Sequence, residues 1–290
     1  MGYAHIENLY KDKNILLFKE CYALEKIHGT SAHIAWNEGN LTLFSGGVKY
    51  ELFTKLFDHE VLKAGFEKMG HKKACIYGEA YGGKCQGMSA TYGKELRFVA
   101  FEVSINNCFV NVPTAEAIVT NTFGLEFVSY ERMPCTIEAL NEAKEKPSVQ
   151  AKRNGIEGDK KREGIVCRPL VEAFLFGGTK RVICKHKNDD FMETGTPRPV
   201  LGDEDKLIVL ESATKIADEW VTEMRLKHVL DKLSCPMDVS SISEVISAMQ
   251  EDIEREGEGE IVMTPDARKA IGRKTAVLYK EFLKESLKEG

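Results

Sequence analysis

The chain has 290 residues, hydrophobic and charged fractions of 43% and 29%, and a formal net charge of −5. That length supplies one large or two smaller hydrophobic cores, no apolar run is long enough for a membrane helix, and residues 1–18 lack a signal-peptide layout. Eight cysteines are scattered with no CxxC pair, which argues against zinc ligation or a disulfide framework and for reduced thiols in a cytoplasmic protein, host cytoplasm if the source is viral.

In chain order, residues 32–36 and 41–44 are apolar-rich runs flanking Asn37-Glu38-Gly39-Asn40, a hairpin signal. Residues 52–69 carry Leu52, Phe53, Leu56, Phe57, Leu62 and Phe66 near helical spacing. Residues 74–77 and 96–103 are strand-like. A short helix is expected over 137–146, capped by Thr136 and stopped before Pro147. Residues 147–162 are polar and glycine-containing and are expected to be a mobile loop. Strand returns at 164–170 and 181–187.

Gly195-Thr196-Pro197-Arg198-Pro199 is a stiff, non-helical break that sets the expected domains at 1–198 and 199–290. Beyond it Ala213, Ile216, Ala217, Trp220, Met224, Val229, Leu230 and Leu233 recur every three or four residues. Ser241-Ile242-Ser243-Glu244 fits a capping box, and Thr264-Pro265 fits a cap followed by proline at the first helical position. The expectation is an α+β chain: a strand-rich N-terminal domain and a small all-α C-terminal one.

Charge divides along the same line, +2 over residues 1–200 and −7 over 201–290. Basic residues cluster at Lys152, Arg153, Lys160, Lys161, Arg162, Arg168, Lys180, Arg181, Lys185 and Lys187. Such a local positive field suits phosphates whatever the net charge.

The residues with chemistry follow one another in order. Leu24-Glu25-Lys26-Ile27-His28-Gly29-Thr30 places a lysine three residues before a glycine. K-x-x-G alone carries little weight, since a lysine before a turn is common. Lys26 becomes a nucleophile only if burial and nearby cations disfavour its ammonium form, and Lys185 and Lys187 are available to do that. Glu79, after Tyr77-Gly78, and Glu163, before Gly164-Ile165-Val166, are carboxylates suited to ribose hydroxyls or a metal ion. Phe101 offers a stacking face for a base. Glu102, the next residue, would face the other side of a regular strand, so both line one pocket only if the strand ends or bulges there. Lys185 and Lys187 share a strand face and suit a polyphosphate, while His186 points away. His28 is positioned either to handle phosphate or to cap the turn.

With these residues in order, the chain resembles the nucleotidyltransferase superfamily of ATP-dependent ligases and capping enzymes, and within it the RNA ligase 2 family. The resemblance rests on Glu25 to Thr30, Tyr77-Gly78-Glu79, Phe98 to Val103, Glu163 to Pro169 and Arg181 to Asn188. It implies an adenylyltransferase domain of antiparallel sheets with flanking helices, followed by a helical appendage that engages RNA ends. It implies Lys26 as the adenylated lysine, with Glu25 and Ile27 beside it in the nucleotide site and His28 as the histidine of that motif. It further implies Glu79 as the essential acid, Phe101 as the adenine-stacking aromatic, Glu163 and Glu102 as metal-associated acids, and Lys185 and Lys187 as the paired lysines.

The implied reaction has three steps: lysyl-AMP formation from ATP with Mg2+ (or Mn2+), AMP transfer to a 5′-phosphate, and attack by a 3′-hydroxyl with release of AMP. The implied partners are ATP and RNA, as nicked duplex or annealed ends, with no membrane, and the protein is expected to be a monomer. A DNA or dual-specificity ligase and a non-catalytic nucleic-acid-binding module are the rival readings. The chain departs from the family where an arginine is expected after the first motif. That region reads Leu43-Phe44-Ser45-Gly46-Gly47-Val48-Lys49, with Lys49 as the candidate substitute, although lysine lacks the bidentate fork of arginine.

Overall fold

The computed structural model describes residues 3–175, 178–196, 198, 200, 212–233 and 235–289. The chain divides into two compact units, Met1–Asn188 and Asp189–Gly290. The division thus falls before the Gly195–Pro199 break on which the sequence-based boundary was set, and that break lies partly outside the described residues.

The first unit is built on two antiparallel sheets. One has the order β11-β8-β1-β7, from β1 (Glu20–Lys26), β7 (Tyr130–Pro134), β8 (Gly164–Pro169) and β11 (Cys184–Lys187). The other has the order β3-β2-β4-β5-β6, from β2 (Thr30–Asn37), β3 (Asn40–Ser45), β4 (Lys73–Gly82), β5 (Leu96–Ile105) and β6 (Cys108–Phe109). A two-stranded ribbon, β9 (Phe174–Leu175) and β10 (Lys180–Arg181), completes the strands. Among the described residues, α-helices accompany them at α1 (Tyr50–Thr54), α2 (His59–Met69), α3 (Ser89–Tyr92), α4 (Val112–Phe123), α5 (Ile137–Glu145) and α6 (Val149–Arg153).

The β2–β3 hairpin forms where expected, with Glu38 and Gly39 both at positive φ in its two-residue turn, the backbone sense that matches strand twist. The helical pattern over 52–69 is realised as two helices rather than one. Asp58 adopts extended backbone and accepts from the amides of Glu60 and Val61, which starts α2 afresh. Phe66 of α2 stacks on Trp36 of β2 and meets Phe123 of α4, so both helices cover the five-stranded sheet. Leu24, Ile34, Ile76, Val99 and Val119 fill the shared core, each at most 2% exposed.

Residues 147–162, expected to be a mobile loop, are ordered from both ends. Ser148 caps α6, its amide bonds to the carbonyl of Lys160, and Arg162 donates to the carbonyls of Ala143 and Pro147. Polar composition here serves buried hydrogen bonds, a use that composition cannot distinguish from solvation.

The second unit is helical: α7 (Ala213–Trp220), α8 (Glu223–Lys232), α9 (Ile242–Glu256) and α10 (Pro265–Glu289) around Ile216, Trp220, Val245, Met249, Ile271 and Tyr279. Thr264 accepts from the amide of Ala267 just ahead of Pro265, as its sequence predicts. The capping box at 241–244 does not form, because the Ser241 hydroxyl donates to the carbonyl of Pro236 instead of capping α9. Among the described residues no helix is long and apolar enough to cross a membrane.

Candidate active site

Strand register brings the distant motifs together. Lys26, the last residue of β1, lies opposite Gly164 of β8, and Gly164 lies opposite Lys187 of β11. One transverse row of the sheet therefore holds Lys26 and Lys187, with Glu163 entering just before Gly164. Only glycine fits at the centre of that row, since a Cβ on Gly164 would sit 2.2 Å from the carbonyl oxygen of His186. Gly29 is constrained in the same way. A Cβ there would lie 2.3 Å from the Ala80 carbonyl oxygen, so the β1–β2 turn packs directly on β4. That packing sets Ser31 opposite Glu79 and brings Glu79 to the nucleophile motif.

Glu163 is fully enclosed and gathers the cations. Its Oε2 lies 2.8 Å from Lys26 Nζ and 3.2 Å from His28 Nδ1, and its Oε1 lies 3.3 Å from Lys187 Nζ. Burial would raise the Glu163 carboxyl, but Lys26, Lys187 and His28 outweigh it and hold the group well below the usual carboxylate range. Lys187 and His28 are themselves buried, at 5% and 3% exposure, whereas the Lys26 side chain remains 22% exposed. The accessible member of the cluster is thus the lysine with which the nucleophile motif began.

Lys26 opens into a cavity of about 230 Å³. Its walls include Lys26, Ser31, Glu79 and Lys185, with Phe101, Glu102, Val166 and Arg168. Phe101 and Glu102 share this cavity because β5 bulges. Tyr77 pairs with Glu102 and Gly78 with Ala100, which leaves Phe101 as the extra residue. A bulge of this kind re-aims one side chain and locally suspends the alternation of faces. His186 points the other way, its Nε2 lying 2.7 Å from Asn141 Oδ1 of α5.

Several expected roles change with the geometry. Glu102, expected as a metal-associated acid, is 1% exposed and paired with Arg168 at 2.9 Å and with Arg181, and it accepts from the Tyr3 hydroxyl at 2.5 Å. Two guanidinium groups already neutralise this carboxylate and repel a further cation. Glu25 lines the cavity, but its carboxylate is engaged elsewhere. Its carboxylate accepts from Ser129 Oγ, Ser148 Oγ and the amides of Val149 and Gln150, which anchors β1 to α6. His28 is held against Glu163 and is not part of the cavity wall. Lys49 is exposed at the start of α1 and does not line the cavity either.

The basic cluster is not one surface patch. Arg162, Arg168 and Lys187 are buried, Arg181 is paired with Glu102 and Glu172, and Lys152 and Lys180 face Asp159 and Asp12. Arg168 and Tyr3 were missed as site residues. Arg168 lies inside the Glu163–Pro169 segment and was available to a closer reading, whereas Tyr3 comes from a segment with no motif.

The donor set fits a divalent cation that arrives with phosphate. Glu163 Oε1 is buried and accepts no hydrogen bond despite the neighbouring Lys187, and Glu79 lines the same cavity as Lys26. A lone carboxylate amid three cationic groups does not attract a bare metal ion, but a polyphosphate would reverse the local charge balance.

The first unit thus sets antiparallel sheets around a lysine–carboxylate cluster. The chain belongs to the RNA ligase family, whose model matches residues 19–187. Among solved structures it is similar to Naegleria gruberi RNA ligase. A lysine-to-methionine mutant with AMP and Mn matches at a TM-score of 0.51, a lysine-to-alanine mutant with ATP and Mn at 0.51, and an arginine-to-alanine mutant with ATP and Mn at 0.52. In each the identity is 14% and the match covers 66% of this chain. The match spans only 56–57% of the Naegleria chains. No match is found among curated proteins.

Proposed function

We propose that this protein is an ATP-dependent RNA ligase that seals 3′-hydroxyl and 5′-phosphate ends at nicks in duplex RNA. The observation that carries the reading is the position of Lys26. It is a half-buried amine at the mouth of a cavity, 2.8 Å from a buried carboxylate that two other cationic side chains also grip. Within the RNA ligase family this is the place for a lysine that forms a phosphoramidate.

The chain's own groups account for the first step. Hydrogen bonding to Glu163 aims Nζ, and Lys26, Lys187 and the His28 ring around it hold the Glu163 carboxyl well below the usual carboxylate range and in place. Phe101, Val128 and Val166 offer an apolar slot for the base, with Glu79 near the ribose. Lys185, in the cavity wall, carries positive charge toward the phosphates, while Lys187 is buried and held on Glu163. Nζ, which is open to solvent, gives its proton to water and attacks the α-phosphorus of ATP; a P–N bond forms, and pyrophosphate departs with the electrons of the broken P–O bond. A divalent ion, Mg2+ or Mn2+, held by Glu163 and Glu79 together with phosphate would neutralise developing charge. AMP then passes to an RNA 5′-phosphate, and a 3′-hydroxyl displaces it. The helical unit is assigned to holding RNA ends, and its acidity restricts that contact to its local basic or backbone groups.

Incubation with α-labelled ATP and Mg2+ should leave label on the denatured protein, and Lys26→Ala should abolish it. With labelled nicks, an all-RNA duplex should be sealed faster than an all-DNA duplex. Equal or reversed rates would instead favour a DNA or dual-specificity ligase, and absence of any covalent label would remove the enzyme reading.

A further inference from the structure

The turn that follows Lys26 is held by a segment that carries no motif. Residues 27–29 lie between β1, which ends at Lys26, and β2, which begins at Thr30, so the turn stands outside both strand ladders and its buried amides need acceptors from elsewhere. For His28 the acceptor is a side chain: its amide donates to the Tyr92 hydroxyl at 3.3 Å. Tyr92 is fully buried at the end of the short helix α3, in the connection from β4 to β5, and its ring meets Tyr81 edge-on at 5.2 Å. Burial raises its phenol above the ordinary value, so the hydroxyl stays un-ionised. Asn154, the residue after α6, donates through Nδ2 to the Tyr92 carbonyl at 2.8 Å. The other end of α6 serves Glu25, whose carboxylate accepts from Ser148 and from the amides of Val149 and Gln150. Between these ends the Gln150 side chain donates to the Tyr81 hydroxyl at 2.8 Å. One short helix thus reaches the residue before Lys26 directly and the residue two after it through Tyr92.

We propose that Tyr92, backed by α6, is a positioning residue for the nucleophile: its hydroxyl fixes the His28 main chain while α6 fixes Glu25, so Lys26 is presented to the cavity from a backbone clamped on both sides. The reason is mechanical. An ammonium on a flexible four-carbon stem has little direction of its own, so the placement of Nζ depends on where its main chain is held. The same clamp sets the His28 ring on Glu163, 3.2 Å away, beside the bond that Lys26 makes to that carboxylate. A reacting group misplaced by about 1 Å can lose roughly 100-fold in rate. Tyr92 is not in the cavity wall, so its effect falls on formation of the P–N bond and not on the affinity for ATP. It also falls on the first step alone, because Lys26 forms no bond when a 3′-hydroxyl displaces AMP from an adenylated end.

This inference rests on the ligase reading, and the test separates the two. In the full-length chain, Lys26 adenylation is followed in single turnovers against ATP concentration for wild type, Tyr92→Phe, Asn154→Ala and Tyr130→Phe. Tyr92→Phe keeps the ring and removes the hydroxyl; its maximal rate should fall by roughly 10- to 100-fold, with the KM for ATP within about twofold of wild type. Asn154→Ala, which frees the Tyr92 carbonyl, should lower the same rate by a smaller factor with the Tyr92 side chain intact. Tyr130→Phe removes a different hydroxyl of the first unit, one that donates to Glu116 at 2.6 Å, and should match wild type. Given RNA already adenylated at its 5′ end, Tyr92→Phe should seal it at close to the wild-type rate. A maximal adenylation rate within about twofold of wild type in Tyr92→Phe would overturn the proposal. So would a raised KM in place of the lost rate, an equal fall in Tyr130→Phe, or an equal loss in sealing the adenylated RNA. A wild-type chain that forms no adenylate would overturn the ligase reading and this inference with it, a result distinct from a labelled wild type beside an unaffected Tyr92→Phe.

Discussion

Two of the buried glutamates of the first unit, Glu163 and Glu102, are both nearly inaccessible and both surrounded by basic side chains. Their partners differ in kind. Glu163 is held by two lysines and a histidine, ammonium groups on flexible stems and an imidazole ring, and one of them, Lys26, reaches an open cavity. Glu102 is held by two arginines and a tyrosine, and Glu172 bonds the same two guanidinium groups from the other side. Planar guanidinium forks make a permanent, multiply bonded anchor, whereas an ammonium on a flexible stem can exchange a carboxylate for a phosphate. Under the proposed ligase function, the same residue type, equally buried, serves reaction in one place and scaffold in the other, and the partners decide which.

The largest expected effect tests the reactive cluster. Glu163→Gln leaves Lys26, His28 and Lys187 without their common anion, and adenylation should fall by roughly 100-fold or more. Single-turnover labelling at saturating ATP measures this. Glu102→Gln should act differently: removal of one partner from a buried ion cluster costs about 3–5 kcal/mol of stability, read as a lower urea midpoint. The Mg2+ concentration for half-maximal adenylation should stay the same in Glu102→Gln and rise in Glu79→Gln. A matching rise in Glu102→Gln would restore it as a metal-associated acid.

Much of the reactive cluster was legible in the sequence. Lys26, Glu79, Glu163, Lys185 and Lys187 stand in short motifs whose order and spacing survive folding, and strand periodicity put the two late lysines on one face with His186 opposite. The scaffold cluster was not legible, because Glu102, Arg168, Arg181 and Tyr3 are joined by tertiary contacts between separate segments. The alternation rule flagged the conflict between Phe101 and Glu102, but only strand pairing reveals the bulge that resolves it. Ser148 and the carboxylate of Glu25 order residues 147–153 in the same long-range way, so a polar stretch that reads as a loop is in fact a buried joint.

The contrast also has a pH signature. The folded-state carboxyl of Glu163 lies below its ordinary value of 4.5. Its contribution to stability is therefore complete above that value and is lost as pH falls through the lower folded value. Urea melts of wild type should lose stability steeply below about pH 4.5, and Glu163→Gln should flatten that decline. The smallest expected effect lies in the second unit: Thr264→Ala removes the cap of α10 at a cost of about 1 kcal/mol. It should lower thermal stability there and leave Lys26 labelling unchanged.

Intact-mass spectrometry after incubation with ATP and Mg2+, followed by peptide mapping, tests the central claim most directly. The account predicts a single adenylate adduct on the peptide containing Lys26. An unmodified chain, or an adduct that persists in Lys26→Ala, would contradict it.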